Sequence, residues 1–189
     1  MEKSLKDLLI DELYSLLNAE EQIMKALPDM IGAAESPDLK KGFDTHLKET
    51  KGQIQRLEKI LQLLHIEKKE KFCNGIKSLI QECKDAIKDF KTHSPLRDAA
   101  IISKAQRIEH YEIAAYGTLY SFAQELELDE VAALLQATLE EEGAADQNLS
   151  KIAEGGLLKP GINQQAAQSK GANSKDLNKN SSGAKKTKR

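Results

Sequence analysis

Acidic residues recur in this chain at positions where a helix would bury leucine. Glu20, Glu49 beside His46, Glu109 with Glu112, and Glu142 with Asp146 each fall within the apolar stripe of a separate amphipathic segment. A carboxylate facing a core is costly unless it is paired or binds a cation. Hard divalent cations such as Fe²⁺ and Mn²⁺ prefer carboxylate oxygens with an imidazole or two. Four helices that each bring such a group inward are the means by which a bundle builds a two-metal carboxylate site. Some of the carboxylates then bridge the ions, others bind one of them, and together they offset the charge.

The apolar spacing predicts the elements that must position these groups. A first helix is expected over about 4–34, with the stripe Leu9, Leu13, Leu16, Glu20, Ile23, Leu27 in steps of three and four. Every neighbour of Glu20 on that face is apolar, and Glu12 is the alternative inward acid of the same helix. Ser36-Pro37-Asp38 supplies an N-cap followed by proline at the first helical position. The second helix then extends to about Leu64, and its stripe turns polar in the middle at His46, Thr50 and Gln53. His46 and Glu49 lie one turn apart on an edge of it.

Residues 67–90 form a less regular amphipathic segment, expected as one or two short helices in a connection. Ser94-Pro95 opens a third long helix with Ile102, Ala105, Glu109, Glu112 or Ile113, Tyr116 and Leu119 inward. A fourth starts near Asp129, places Leu135, Thr138, Glu142, Ala145 or Asp146, and Leu149 inward, and ends at Gly155-Gly156. Short links within each pair and a crossover of roughly 30 residues between the pairs fit an all-α, ferritin-like four-helix bundle. The bundle is expected over residues 1–156 and a disordered basic tail over 157–189, where apolar periodicity is lost.

Bulk properties agree with a helical reading. Of the 189 residues 40% are hydrophobic, only 4% are aromatic and 31% are charged, with four prolines and no tryptophan. That balance favours helix over sheet. No apolar run reaches the roughly 18–20 residues that span a bilayer, so no membrane partner is expected. The N-terminus lacks the pattern of a secretory signal, and a cytoplasmic protein is expected. Cys73 and Cys83, ten residues apart, read as reduced apolar residues rather than a disulfide or a metal motif. The net charge of −2 conceals an asymmetry: from Pro160 onward seven basic residues face one acid, a local +6 that leaves −8 elsewhere. The basic cluster at 185–189 offers weak contact with polyanions or serves only as a solubilising end.

The histidines depart from the usual di-iron pattern of two Glu-x-x-His pairs. Here the second helix reads His46-Leu-Lys-Glu49, in reversed order, and Asp146 stands where a second histidine would be sought. With those differences, Asp11-Glu-Leu-Tyr-Ser-Leu-Leu-Asn-Ala-Glu20, His46-Leu-Lys-Glu49-Thr-Lys-Gly-Gln53, Arg107-Ile-Glu-His-Tyr-Glu-Ile-Ala-Ala-Tyr-Gly117 and Leu139-Glu-Glu-Glu-Gly-Ala-Ala-Asp146 resemble the YciF/YciE family. These are bacterial ferritin-like proteins associated with stress responses. The resemblance covers about residues 4–154 and implies a dimetal site, often a homodimer, and no firmly assigned reaction. Carried over by position, it implies Glu20, Glu49, Glu109 and Glu142 as ligands. Glu112, His46, Gln53 and Asp146 follow as further ligands or their close neighbours. The expected function is therefore a di-iron or dimanganese protein that handles peroxide or dioxygen under stress. The rival is a noncatalytic stress or assembly protein whose inward acids are structural. No residue is assigned a catalytic role.

Overall fold

The computed structural model describes residues 2–92, 94–157 and 159–169. Its helices are α1 (Leu5–Ala33), α2 (Pro37–Leu63), α3 (Asn74–Asp89), α4 (Pro95–Glu125), α5 (Asp129–Glu154) and α6 (Ile162–Gln168). The only β pairing among the described residues is an isolated bridge between Gly155 and Pro160. No helix among them is long and apolar enough to cross a membrane.

Local chemistry places the helix starts. Ser4 and Asp7 form a reciprocal capping box at α1. Ser36 and Ser94 cap α2 and α4, each followed by proline at the first turn, where the missing N–H is no loss. Two of the ends use a left-handed non-glycine residue, His65 after α2 and Glu127 after α4, each at φ 54°. The backbone then turns back, so that Ile66 N–H donates to Leu61 O and Leu128 N–H to Ala123 O, both at 2.9 Å.

α1 packs on α2 and α4 on α5, while α2–α5 and α1–α4 contacts close the bundle. The link between α1 and α2 is held from the other hairpin. Asp98 of α4 accepts from the backbone N–H groups of Glu35 (2.8 Å) and Ser36 (2.7 Å), and Arg97 donates to Ala33 O (2.5 Å). Asp98 is 1% exposed and Arg97 4%, so this anchor is part of the core. The crossover contains one helix, α3, which lays Ile76, Ile80, Cys83 and Ala86 against α1 and α4. Phe72, just ahead of it, is 54% exposed under the Lys77 ammonium. Both cysteines are buried and free, as the sequence suggested.

The expectation of a structureless chain from 157 onward fails for its first part. α6 packs against α4 and α5 and buries Ile162 and Ala166. Two glycines permit the return. A Cβ at Gly155, which has φ 77°, would lie 2.2 Å from Gly161 N, and one at Gly161 would lie 2.2 Å from the carbonyl carbon of Glu154. The two backbones touch where neither can carry a side chain. Residues 170–189, which hold most of the basic tail, lie outside the described residues.

Candidate metal centre

Midway along the bundle, four helices deliver polar groups into the core. Glu20 comes from α1, His46, Thr50 and Gln53 from α2, Glu109, Glu112 and Tyr116 from α4, and Thr138 and Glu142 from α5. All are buried, and Glu20, Glu112 and Glu142 are 0% exposed. Each helix presents its group because the apolar residues above and below the polar ones along the same stripe lock that face inward.

His46, Glu109, Glu112 and Glu142 each offer a donor atom, and these atoms all lie within 4.8 Å of one another. That spacing accommodates a divalent ion bound at about 2.0–2.4 Å from each donor. Glu20 adjoins the group through Glu112, and the Tyr116 hydroxyl donates to its Oε1 at 2.5 Å. Gln53 donates through Nε2 to Glu142 Oε1 at 2.5 Å.

The decisive property is what these atoms lack. Both ring nitrogens of His46, both carboxylate oxygens of Glu112, and Oε2 of Glu20, Glu109 and Glu142 are buried without a hydrogen-bond partner, as is Oε1 of Gln53. Such groups are rare in folded proteins because each costs roughly 1–3 kcal/mol, more when charged. Here the unsatisfied acceptors converge on one another. Four buried carboxylates carry four negative charges when ionised, which two divalent ions would neutralise. The donor set fits a metal.

Electrostatics point the same way. Burial is the main cause that pushes the Glu20 carboxyl up to about 7, against the Tyr116 hydrogen bond and the His46 charge. Burial also raises Glu112 well above the usual range, with the negative charges of Glu142, Glu20 and Glu109 adding to it. Glu109 and Glu142 rise for the same first reason, opposed by His46. Burial opposes protonation of His46, yet Glu109, Glu49, Glu142 and Glu20 outweigh it and hold the ring up to about 10. Without a cation the four carboxyls resist ionising together and favour protonation.

The remaining sequence candidates stand around this group. Glu49 has Oε2 3.7 Å from His46 Nδ1 and a side chain 35% exposed, outside the tight cluster. Asp146 faces α4, accepting from Gln106 at 3.1 Å with His110 Nε2 at 3.3 Å. Glu12 is exposed and Glu20 takes the inward place, as the stripe favoured. Glu141, next to Glu142, is partly buried in a pair with Arg56, whose Nη1 also reaches Thr138 Oγ1 at 2.7 Å. Arg56 was missed because it lies off the apolar stripe. Its only sequence signal is its place one turn beyond Gln53.

Residues 4–167 match a family described as a domain of unknown function, DUF892. The chain is 38% identical to Protein YciF of Escherichia coli K12 over 152 residues, which is 80% of this chain and 91% of that one. The crystal structure of the E. coli stress protein YciF superposes with a TM-score of 0.76 at 37% identity, covering 79% of this chain and 94% of that one. YcfI from Rhodopseudomonas palustris superposes with a TM-score of 0.77 at 40% identity, covering 80% and 96%. With its sequence and its bundle both matched over most of their length, the chain belongs to the YciF/YciE-like DUF892 family of ferritin-related proteins.

Proposed function

We propose that the buried cluster holds two divalent ions, of iron or manganese, and that the protein handles peroxide or dioxygen as part of a stress response. The observation that carries this reading is the convergence of unsatisfied donor atoms from His46, Glu109, Glu112 and Glu142 on one buried point, with Glu20 beside Glu112. His46, Glu109, Glu112 and Glu142, with Glu20 beside them, would hold the ions. Glu49, Gln53 and Asp146 surround them. Two such ions in their reduced state would supply two electrons to a peroxide or to dioxygen.

The chain's own residues prepare the site for that chemistry. Tyr116 donates to Glu20 Oε1 and leaves Oε2 free to bind. Gln53 likewise occupies one oxygen of Glu142 and leaves the other. Such second contacts orient ligands before a metal arrives. Arg56 is tied to Glu141 and Thr138, so it does not neutralise the core acids, which weighs against a structural ion-pair network. A cytoplasmic homodimer is part of the same proposal, by likeness to the family.

Metal analysis after anaerobic loading tests it. Two Fe or Mn per chain are expected in the wild type and in Glu140→Gln, an exposed control. Near-zero uptake is expected in Glu109→Gln/Glu142→Gln. A chain that takes up no metal under these conditions would overturn the reading.

A further inference from the structure

A cleft of about 920 Å³ opens beside the cluster between α2 and α5. His46 and Glu109 line it despite being 5% and 3% exposed, so they form its inner end. Thr45 of α2 and Ala144, Ala145 and Asn148 of α5 line its walls. The third side is the strap after α5, where Pro160, Ile162 and Gln165 face the cleft and Lys159 pairs with Asp38 of α2. α6 therefore completes a cavity that the bundle alone leaves open.

Size and lining narrow what the cleft would take. Sites for small organic molecules measure roughly 300–1,000 Å³ and are mostly apolar with a few polar groups at fixed points. A water molecule takes about 30 Å³ of liquid, and hydrogen peroxide is little larger, so neither needs such a space. Phe43, Leu149, Ile152 and Ile162 supply apolar wall, Lys41, Lys151 and Lys159 are among the charged residues of the lining, and the buried atoms in reach that lack a hydrogen-bond partner are those of His46 and Glu109.

We propose that this cleft binds an organic hydroperoxide, its apolar body along α2, α5 and α6 and its O–O end toward His46 and Glu109. The proposal rests on the dimetal reading above. Reduction of ROOH breaks the O–O bond and consumes two electrons, which a reduced metal pair would supply, and two protons from solvent, leaving ROH and water. Glu49 is partly exposed in the cleft, its Oε2 3.7 Å from His46 Nδ1.

Two measurements test it on the full chain. In the metal-free ¹⁵N-labelled protein, 2-phenyl-2-propanol, the alcohol product of cumene hydroperoxide, is expected to shift the amides of Gly42, Thr45, Ala145 and Asn148. The smaller groove on the opposite face, lined by Tyr111, Thr118 and Phe122, should stay silent. Thr45→Trp and Ala144→Trp, both at exposed wall positions, should weaken that binding roughly tenfold or more by filling the cleft. In the reduced, metal-loaded protein the same variants should slow oxidation by cumene hydroperoxide by a similar factor, with hydrogen peroxide nearly unaffected. Shifts confined to the other groove, or equal slowing of both peroxides, overturn the cleft assignment while two bound ions leave the dimetal reading intact. Failure of the wild type to bind metal overturns both.

Discussion

At the end of the bundle where α1 begins and α2 finishes, Leu9, Leu13, Leu57, Ile60, Leu119 and Leu135 are all 1% exposed or less. Midway along the same helices, Glu20, Glu112 and Glu142 are just as deeply buried, and Glu109 nearly so. The first region is complete in itself, because a buried methyl group asks only for contact and exclusion from water. The second is not, because a buried carboxylate asks for a donor or a cation, and most of these oxygens lack a hydrogen-bond partner. One core thus contains a region that stabilises the fold and a region that the fold has to support. The two should respond in opposite ways to substitution and to solution conditions.

The largest effect is expected in the apolar region. Leu13→Ala should cost about 2–5 kcal/mol in chemical denaturation, with or without metal, because it leaves a cavity that the helices cannot close. A loss that vanished on adding metal would mean that the two regions are not independent. Second comes the metal itself. At a free concentration about 100 times its dissociation constant an ion binding only the native state adds about 2.7 kcal/mol. For a domain of this size that is a rise of several degrees in melting temperature. Calorimetry with Mn²⁺, or anaerobic Fe²⁺, should show the increment at pH 7.5 and a smaller one at pH 5, where protons compete for Glu20, Glu109, Glu112 and Glu142. Equal increments in the wild type and in Glu109→Gln/Glu142→Gln would place any bound metal on the acidic surface.

The metal-free protein should show the reverse pH trend. The four buried carboxyls have folded-state values raised above 4.5, with Glu20 at about 7. The native state therefore holds more protons than the unfolded chain, and stability falls as pH rises through the raised values. His46 has the same sign, its contribution complete below about 6.5 and lost toward about 10. Apo stability should be higher at pH 5 than at pH 8. Glu112→Gln, a neutral near-isostere, should raise it at pH 8 by a degree or more and flatten the slope. A steeper slope in that variant would show that Glu112 is not the group under strain. The smallest effect belongs to the rim. Arg56→Ala should cost within about 1 kcal/mol, since the Arg56 and Glu141 side chains are 24% and 29% exposed and their attraction is screened. A cost above 3 kcal/mol would move Arg56 from the rim into the charge balance of the cluster.

Much of this was already legible in the sequence, because helix periodicity is a local property. A residue set among leucines at steps of three and four must share their face, and so Glu20, His46, Gln53, Glu109, Glu112, Tyr116 and Glu142 could all be named as inward. The serine–proline starts of α2 and α4 were legible for the same reason: an N-cap acts within one turn. Tertiary structure decided which inward residues meet. Each position on a helix is separated from the next by about 100°, so Glu49 and Asp146, at the edges of their stripes, could turn either way. Only the rotation of α2 against α5 left Glu49 at the wall of the cleft, and only the closeness of α4 turned Asp146 toward Gln106 and His110. The pairing of Arg56 with Glu141 joins residues 85 apart and has no local signature. The return of the chain after α5 escaped for a similar reason. A seven-residue helix is too short to display a period, and its docking depends on a backbone contact between Gly155 and Gly161. The sequence determined which groups are forced inward, through local geometry and the cost of exposing an apolar face. Only the packing of whole helices decided which of them share a point in space, because that depends on rotations and translations that no single segment encodes.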